Sequence, residues 1–449
     1  MAEEIARNAH LASTVLKTLS DEQRSLALYK IKQGLLDSKD EILKANQLDL
    51  DAAIANNLSS ALIKRLDLSK NDKFDSMCSG ILDVSNLEDP LNKIDLATKL
   101  DDGLNLYRLT CPVGVLLIIF ESRPEVIANI TALAIKSGNA AILKGGKESL
   151  NTFKSMSKII NNILDNETSV PKNSIQLIST RGEVSDLLNQ DKYIDLVIPR
   201  GSNELVRNIK SNTKIPVLGH ADGICSIYLD EFASFEKSEK IIIDSKTNYP
   251  AGCNAVETLL INEKLINDNN GKFYYDILNS LINSNIVLHL SSDLYNNFDK
   301  EFKTKNENSI KLAEEIDFNK EFLSFDIAIK SVKSVQDAIL HINSHSSKHT
   351  DCILTENEAN AEIFLKGIDS SGVYWNCSTR FADGFRYGFG TEVGISTNKI
   401  HARGPVGLEG LVCYYYQLRG DGHVVGDYVG GGGARVFKHE KLDTKHLKL

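Results

Sequence analysis

A chain of 449 residues, 42% hydrophobic and 25% charged, carries enough apolar material for two or three packed domains of an ordinary globular protein. Its formal net charge of -9 and lack of a basic stripe argue against nucleic-acid binding, and its longest apolar run, 113–120, is too short to span a bilayer. The seven cysteines (Cys78, Cys111, Cys225, Cys253, Cys352, Cys377 and Cys413) are scattered, odd in number and without a C-x-x-C, which excludes a disulfide scaffold or zinc ribbon and points to a reducing, cytoplasmic setting. The acidic first seven residues lack the apolar core of a secretory leader.

Residues 1 to about 75 read as helices, with apolar residues at helical spacing through Leu26, Ile31, Leu35 and Leu36, then Ile42, Leu43 and Ile54. Ser20 with Gln23 has the form of a capping box opening the second helix. Residues 95–112 read as extended. The run 113–120 is of buried-strand type. A turn at 121–124 follows, and Pro124 suits the first turn of a helix. That helix has Val126, Ile127, Ile130, Leu133 and Ala134 on its apolar face and ends at Gly138. With a strand at 140–144 this completes a βαβ unit. Residues 144–148 lead into a helix through Ile163, and strands are expected at 175–178 and 194–198. Residues 199–203 open another helix, and 216–218 and 224–229 read as strands. The second half repeats the pattern, with strands expected at 258–261, 286–290, 326–329, 352–355 and 373–375. Such alternation means two α/β domains built on parallel sheets. The polar patches 267–272 and 300–309 read as solvated loops or helix faces, and the tail after Gly430 as exposed.

Cys253 follows Pro250, Ala251 and Gly252, a loop signal, and precedes the apolar strand at 258–261. A thiol held there is open to substrate; the competing reading is a small buried apolar residue. No G-x-S-x-G elbow offers a serine instead, so Cys253 is the strongest nucleophile candidate. There is no Walker A or G-x-G-x-x-G, yet two strand ends, 144–147 and 200–202, carry glycine and a cation before a helix, as a phosphate site would; an ordinary strand–helix turn fits them equally. His341, His345 and His349 are four apart, but H-E-x-x-H is not matched, and no metal is expected. Arg123, Arg380 and Arg403 lie in glycine- and proline-rich turns, where they can grip carboxylate or phosphate or serve as structural ion pairs.

Five stretches together resemble the gamma-glutamyl phosphate reductase family of the aldehyde dehydrogenase superfamily. They are 120–124 with 136–139 and 144–147; 198–202; 253–258; 332–353 with its three histidines; and 378–384 with 394–397 and 401–407. The resemblance implies an α/β fold of two Rossmann-like parallel-sheet domains with a small β oligomerisation arm. It implies an NADPH-binding domain over 1–238, a catalytic domain over 239–376, and a return to the cofactor domain, arm and tail over 377–449. The arm would involve 95–112 and 408–418, where Tyr414, Tyr415 and Tyr416 suit either an interface or a core strand. It further implies that the Cys253 thiolate attacks L-glutamyl 5-phosphate, expels phosphate and leaves a thioester that NADPH reduces to L-glutamate 5-semialdehyde, the second step of proline synthesis. Ser122 stands near the oxyanion position of the superfamily. Lys144, Gly146, Lys147, Arg200, Gly201, Ser202 and Glu321 are expected to bind cofactor, with Lys147 favouring a 2′-phosphate and Glu321 the nicotinamide ribose. Arg123, Asn254, Asn376 and Arg380 are expected to bind substrate. Hydrolytic relatives carry a water-activating glutamate where this chain has Leu218-Gly-His-Ala-Asp-Gly223, so the reductive direction is expected over hydrolytic semialdehyde oxidation. A homo-oligomer is expected, with glutamate 5-kinase as a partner and no membrane or nucleic acid.

Overall fold

The structure, a computed structural model, describes residues 2–121, 123–298, 300–445 and 447. The apolar run becomes the strand Val115–Phe120, buried at all six positions. Successive side chains point to opposite faces. Leu116, Ile118 and Phe120 pack against the N-terminal helices and the helix Val126–Lys136, whereas Val115, Leu117 and Ile119 pack beneath Ala6 and Ala9 of the first helix. Both faces are covered, so the run shows no polar alternation. Parallel strands Ala140–Lys144 and Leu196–Arg200 flank it, with Ile175–Ile178 at the edge. Phe120, Lys144 and Arg200 therefore end on one side of the sheet, the side on which open α/β sheets receive ligands.

Five helices precede this sheet: Ala2–Leu16, Asp21–Asp37, Lys39–Ala55, Ser60–Leu66 and Lys73–Ser85. The helical region thus runs ten residues past the expected 75. The Ser20–Gln23 capping box is present in both directions, with Gln23 N donating to Ser20 Oγ at 3.3 Å and Ser20 N to Gln23 Oε1 at 2.9 Å. Gly138 ends the helix Val126–Lys136 at φ +73, where a Cβ would lie 2.8 Å from Pro112 and 2.9 Å from Leu91.

The second sheet has seven parallel strands in the spatial order Ile310–Leu312, Val287–Leu290, Asp326–Val332, Val256–Asn262, Cys225–Leu229, Thr350–Leu354 and Gly372–Trp375. Two differences from the sequence reading concern it. The strand Cys225–Leu229 lies in the middle of this sheet, so the change of sheet falls before it and not at 238. The edge strand Ile310–Leu312 was not expected; only Ile310 of its three residues is buried, too little for an alternation signal. The stretch 216–218 contributes only a bridge between Val197 and Val217.

An antiparallel sheet joins Val412–Arg419, Leu104–Pro112, Ile94–Asp101 and Glu440–Lys441. The 95–112 segment is thus a hairpin. Tyr414 and Tyr416 are exposed, which rules out the core-strand reading for them. The tail beyond Gly430 is mostly exposed, as expected, although Glu440–Lys441 pairs with the hairpin. Residues after 377 run back to the first sheet, where Gly394 lies against Ile198 and Arg200, and Leu411 O accepts from Val113 N. No described helix is long and apolar enough to cross a membrane.

Candidate active site

Cys253 lies in a tight loop between the helix Phe235–Thr247 and the central strand Val256–Asn262. Gly252 N bonds Tyr249 O at 3.0 Å and Ala255 N bonds Gly252 O at 2.9 Å, which closes two successive turns around the thiol. Gly223 presses on the loop from behind: a Cβ there would stand 2.1 Å from Cys253 O and 2.5 Å from its Cα. Only glycine permits that approach. The loop is at the amino-terminal edge of the second sheet and faces the carboxyl-terminal edge of the first. Between them is a cleft of ≈ 340 Å³ lined by Phe120, Glu121 and Arg123, by Pro199 to Gly201, by Leu218 and His220, and by Cys253, Glu392 and Arg65.

Of the expected site residues, Arg123, Arg200, Gly201 and Cys253 meet in this cleft. Arg380 stands beside the cysteine loop: its Nη1 would be 2.6 Å from a Cβ on Gly252, and its guanidinium lies over the Tyr249 ring at 5.8 Å. The buried Arg380 Nε has no hydrogen-bond partner. Ser202 caps the helix Asn203–Ser211. Glu321 is drawn to the same corner, accepting from Asn203 Nδ2 at 3.3 Å and from the Gly223 N–H. Lys144, Gly146 and Lys147 occupy the neighbouring strand end, with Lys147 exposed on the short turn Lys147–Ser149. Ser122 lies outside the described residues.

Two expected substrate ligands also make structural hydrogen bonds. The Asn254 amide donates to Ala382 O at 2.9 Å and Arg380 O at 3.5 Å, tying the arginine segment to the cysteine loop. Asn376, at φ +53, exchanges bonds with Thr355 N and O at 3.0 and 2.8 Å, fixing the end of strand Thr350–Leu354; it does not line the cleft. The sequence reading missed Arg65, His220 and Glu392. Arg65 comes from the fourth helix, remote in sequence, and donates to Tyr249 OH at 2.8 Å. His220 lies within the stretch 218–223, where a lone histidine carries no catalytic pattern of its own. The three spaced histidines do not converge. His341 and His345 stack on one helix with ring centroids 4.0 Å apart, while His349 packs instead against His220 at 5.2 Å.

Burial pushes the Cys253 thiol up to about 12, with Glu321 and Glu392 adding to the rise and Arg200 and Arg380 opposing it. Burial likewise raises Glu392, which accepts from Gly384 N at 2.9 Å, and Glu321. A thiol raised in this way is mostly protonated at neutral pH, and its thiolate fraction is expected to grow about tenfold per pH unit. Iodoacetamide labelling of the Cys253 peptide, read by mass spectrometry, is expected to accelerate by about tenfold per unit between about pH 7 and 10. A plateau below about pH 9 would show that the arginines outweigh burial.

The sequence pattern of the aldehyde dehydrogenase family matches residues 1–274. Across its whole length the chain is 59% identical to gamma-glutamyl phosphate reductase of Saccharomyces cerevisiae, spanning 99% of that protein. The chain belongs to the gamma-glutamyl phosphate reductases of the aldehyde dehydrogenase family. The corresponding protein of Brachyspira hyodysenteriae is 46% identical over 98% of this chain and 99% of its own. The crystal structure of gamma-glutamyl phosphate reductase from Thermotoga maritima matches with a TM-score of 0.87 at 36% identity, covering 94% of this chain and 99% of that one. The enzyme is thus an oxidoreductase on an aldehyde dehydrogenase-like α/β fold, with which its two parallel sheets agree.

Proposed function

We propose that the enzyme reduces L-glutamyl 5-phosphate to L-glutamate 5-semialdehyde and phosphate, the second step of L-proline synthesis, through a thioester on Cys253. The observation that carries this reading is a thiol in a cleft between two sheets whose lining includes Arg65, Arg123 and Arg200, with Arg380 beside the cysteine loop. A substrate with a phosphate at one end and an α-carboxylate at the other needs cations on both sides of the reacting carbon. Cys253 loses its proton, its sulfur attacks the acyl carbon, and the carbon–oxygen bond to phosphate breaks. The Cys253 N–H serves as a donor to the developing oxyanion. Collapse after reduction breaks the carbon–sulfur bond and returns the thiolate.

NADPH, when bound, supplies the hydride. The residues present suit it: the two glycine–cation turns after Lys144 and Arg200 open on the same edge of the first sheet, and the exposed Lys147 is a cation suited to a 2′-phosphate. Glu321, held by Asn203 and the Gly223 N–H, is the group for a ribose hydroxyl. Exchanging Lys147 for glutamate is expected to lower the preference for NADP over NAD by about tenfold or more, read as the ratio of kcat/KM values. An unchanged ratio would remove Lys147 from the cofactor site.

The hydrolytic reading fares worse. The one carboxylate in the stretch 218–223, Asp222, is engaged by Asn203 and Arg207, so it is not available as a base for water. The exposed tyrosines of the antiparallel arm offer the surface for a homo-oligomer, and glutamate 5-kinase is the natural supplier of the acyl phosphate. The reaction is tested in reverse: NADP reduction with L-glutamate 5-semialdehyde should require inorganic phosphate. Sustained turnover without phosphate would favour the hydrolytic reading.

A further inference from the structure

His220, Cys253 and His349 come from three parts of the chain, yet Cys253 Sγ and a ring nitrogen of each histidine lie within 4.8 Å of one another. Two features suit these atoms to a metal ion. His220 Nδ1 is 3.2 Å from the Ile395 carbonyl, an oxygen that can only accept; the N–H must be there, which leaves the lone pair on Nε2. His349 is buried, its Nδ1 is 2.9 Å from Thr350 Oγ1, and its Nε2 has no partner. An orphaned nitrogen in the interior calls for an explanation, since such atoms normally find one. The two imidazoles cross edge to face at 80°, with ring centroids 5.2 Å apart.

We propose that His220, Cys253 and His349 form a site for a borderline-soft divalent cation of the zinc class, which blocks the enzyme by capturing its nucleophile. The site shares Cys253 with the proposed reaction, so the inference rests on that reading only for its inhibitory effect. One thiolate and two neutral imidazoles are a donor set for zinc, with a fourth position left for water or an anion from the cleft. Ligand atoms around a tetrahedral zinc stand about 3.3–3.8 Å apart, so the three side chains close by about 1 Å when the ion enters. On binding, the sulfur–hydrogen bond is replaced by a sulfur–metal bond and the proton leaves to solvent; nothing is oxidised or reduced. Magnesium, which takes hard oxygen ligands, should be ignored.

The test uses the full-length enzyme with Zn²⁺ alone as the probe. Zinc should inhibit it reversibly, with activity restored by a chelator, while equal magnesium leaves it active. His349→Gln should weaken zinc inhibition by about tenfold or more, each protein being compared with its own zinc-free rate. His220→Gln should do the same and serves if His349→Gln fails to fold. Independently of activity, Co²⁺ added to the wild type should give a near-ultraviolet thiolate-to-cobalt charge-transfer band that is absent in Cys253→Ser. Equal zinc sensitivity in the histidine variants would reduce the effect to thiol binding alone and overturn the site. So would the absence of the cobalt band in the wild type.

Discussion

Cys253→Ser is expected to lower kcat by about 1000-fold or more while the fold stays intact. Serine fits the same loop, so Gly223 and Cys225, which contact the Cys253 backbone, lose little. What changes is the atom. A hydroxyl in a buried pocket ionises far less readily than a thiol and gives an ester, which accepts hydride less readily than a thioester. Circular dichroism should overlay with the wild type, and phosphate-dependent NADP reduction should fall to the floor of the assay. Retention of more than about a tenth of the rate would show that Cys253 is not the nucleophile.

Lys246→Met is expected to destabilise the second sheet by about 3–5 kcal/mol. Lys246 Nζ lies 2.5 Å from Glu257 Oε2, both side chains are wholly buried, and the same ammonium donates to Val256 O at 2.9 Å. Removing the cation leaves a carboxylate in the interior without its counter-charge. Burial already pushes Glu257 up to about 7, with Lys246 holding it down, and burial lowers Lys246. A carboxyl whose folded pKa stands above its ordinary 4.5 keeps its stability contribution below 4.5 and loses it as pH rises through 7 and above. The variant should therefore be closer to the wild type at about pH 5 than at about pH 8 in urea unfolding, where two-state behaviour is first to be checked by two probes. Replacing both partners, Lys246→Met with Glu257→Leu, should recover most of the loss. The pair also reaches the site: Glu257 Oε1 accepts from Leu323 N at 3.4 Å, two residues beyond Glu321. Failure of the double variant to recover would mean that the pair acts through that loop and not through charge burial.

Which parts of this could be read from the chain follows from physical range. The strand Val115–Phe120 and the turns after Lys144 and Arg200 were legible because burial on both faces and glycine before a helix leave local marks. The Cys253 loop was legible for the same reason. The bonds of Asn376 depend on a left-handed backbone and a strand end 21 residues earlier, which no local pattern reports. The sheet boundary leaves no local mark because Cys225–Leu229 reads alike in either sheet; only its pairing with Val256–Asn262 and Thr350–Leu354 assigns it. Arg65 and His349 reach the site or its surroundings by tertiary packing alone, and spacing had linked His349 to His341 and His345, with which it shares nothing.

The central claim is a thioester on Cys253 that awaits phosphate and is kept from water. Rapid mixing of the enzyme with L-glutamate 5-semialdehyde and NADP in phosphate-free buffer tests it most directly. The expected trace is a burst of NADPH equal to one per active site, then a halt, with turnover resuming when phosphate is added. Continued linear NADPH formation without phosphate, or a full burst from Cys253→Ser, would contradict it.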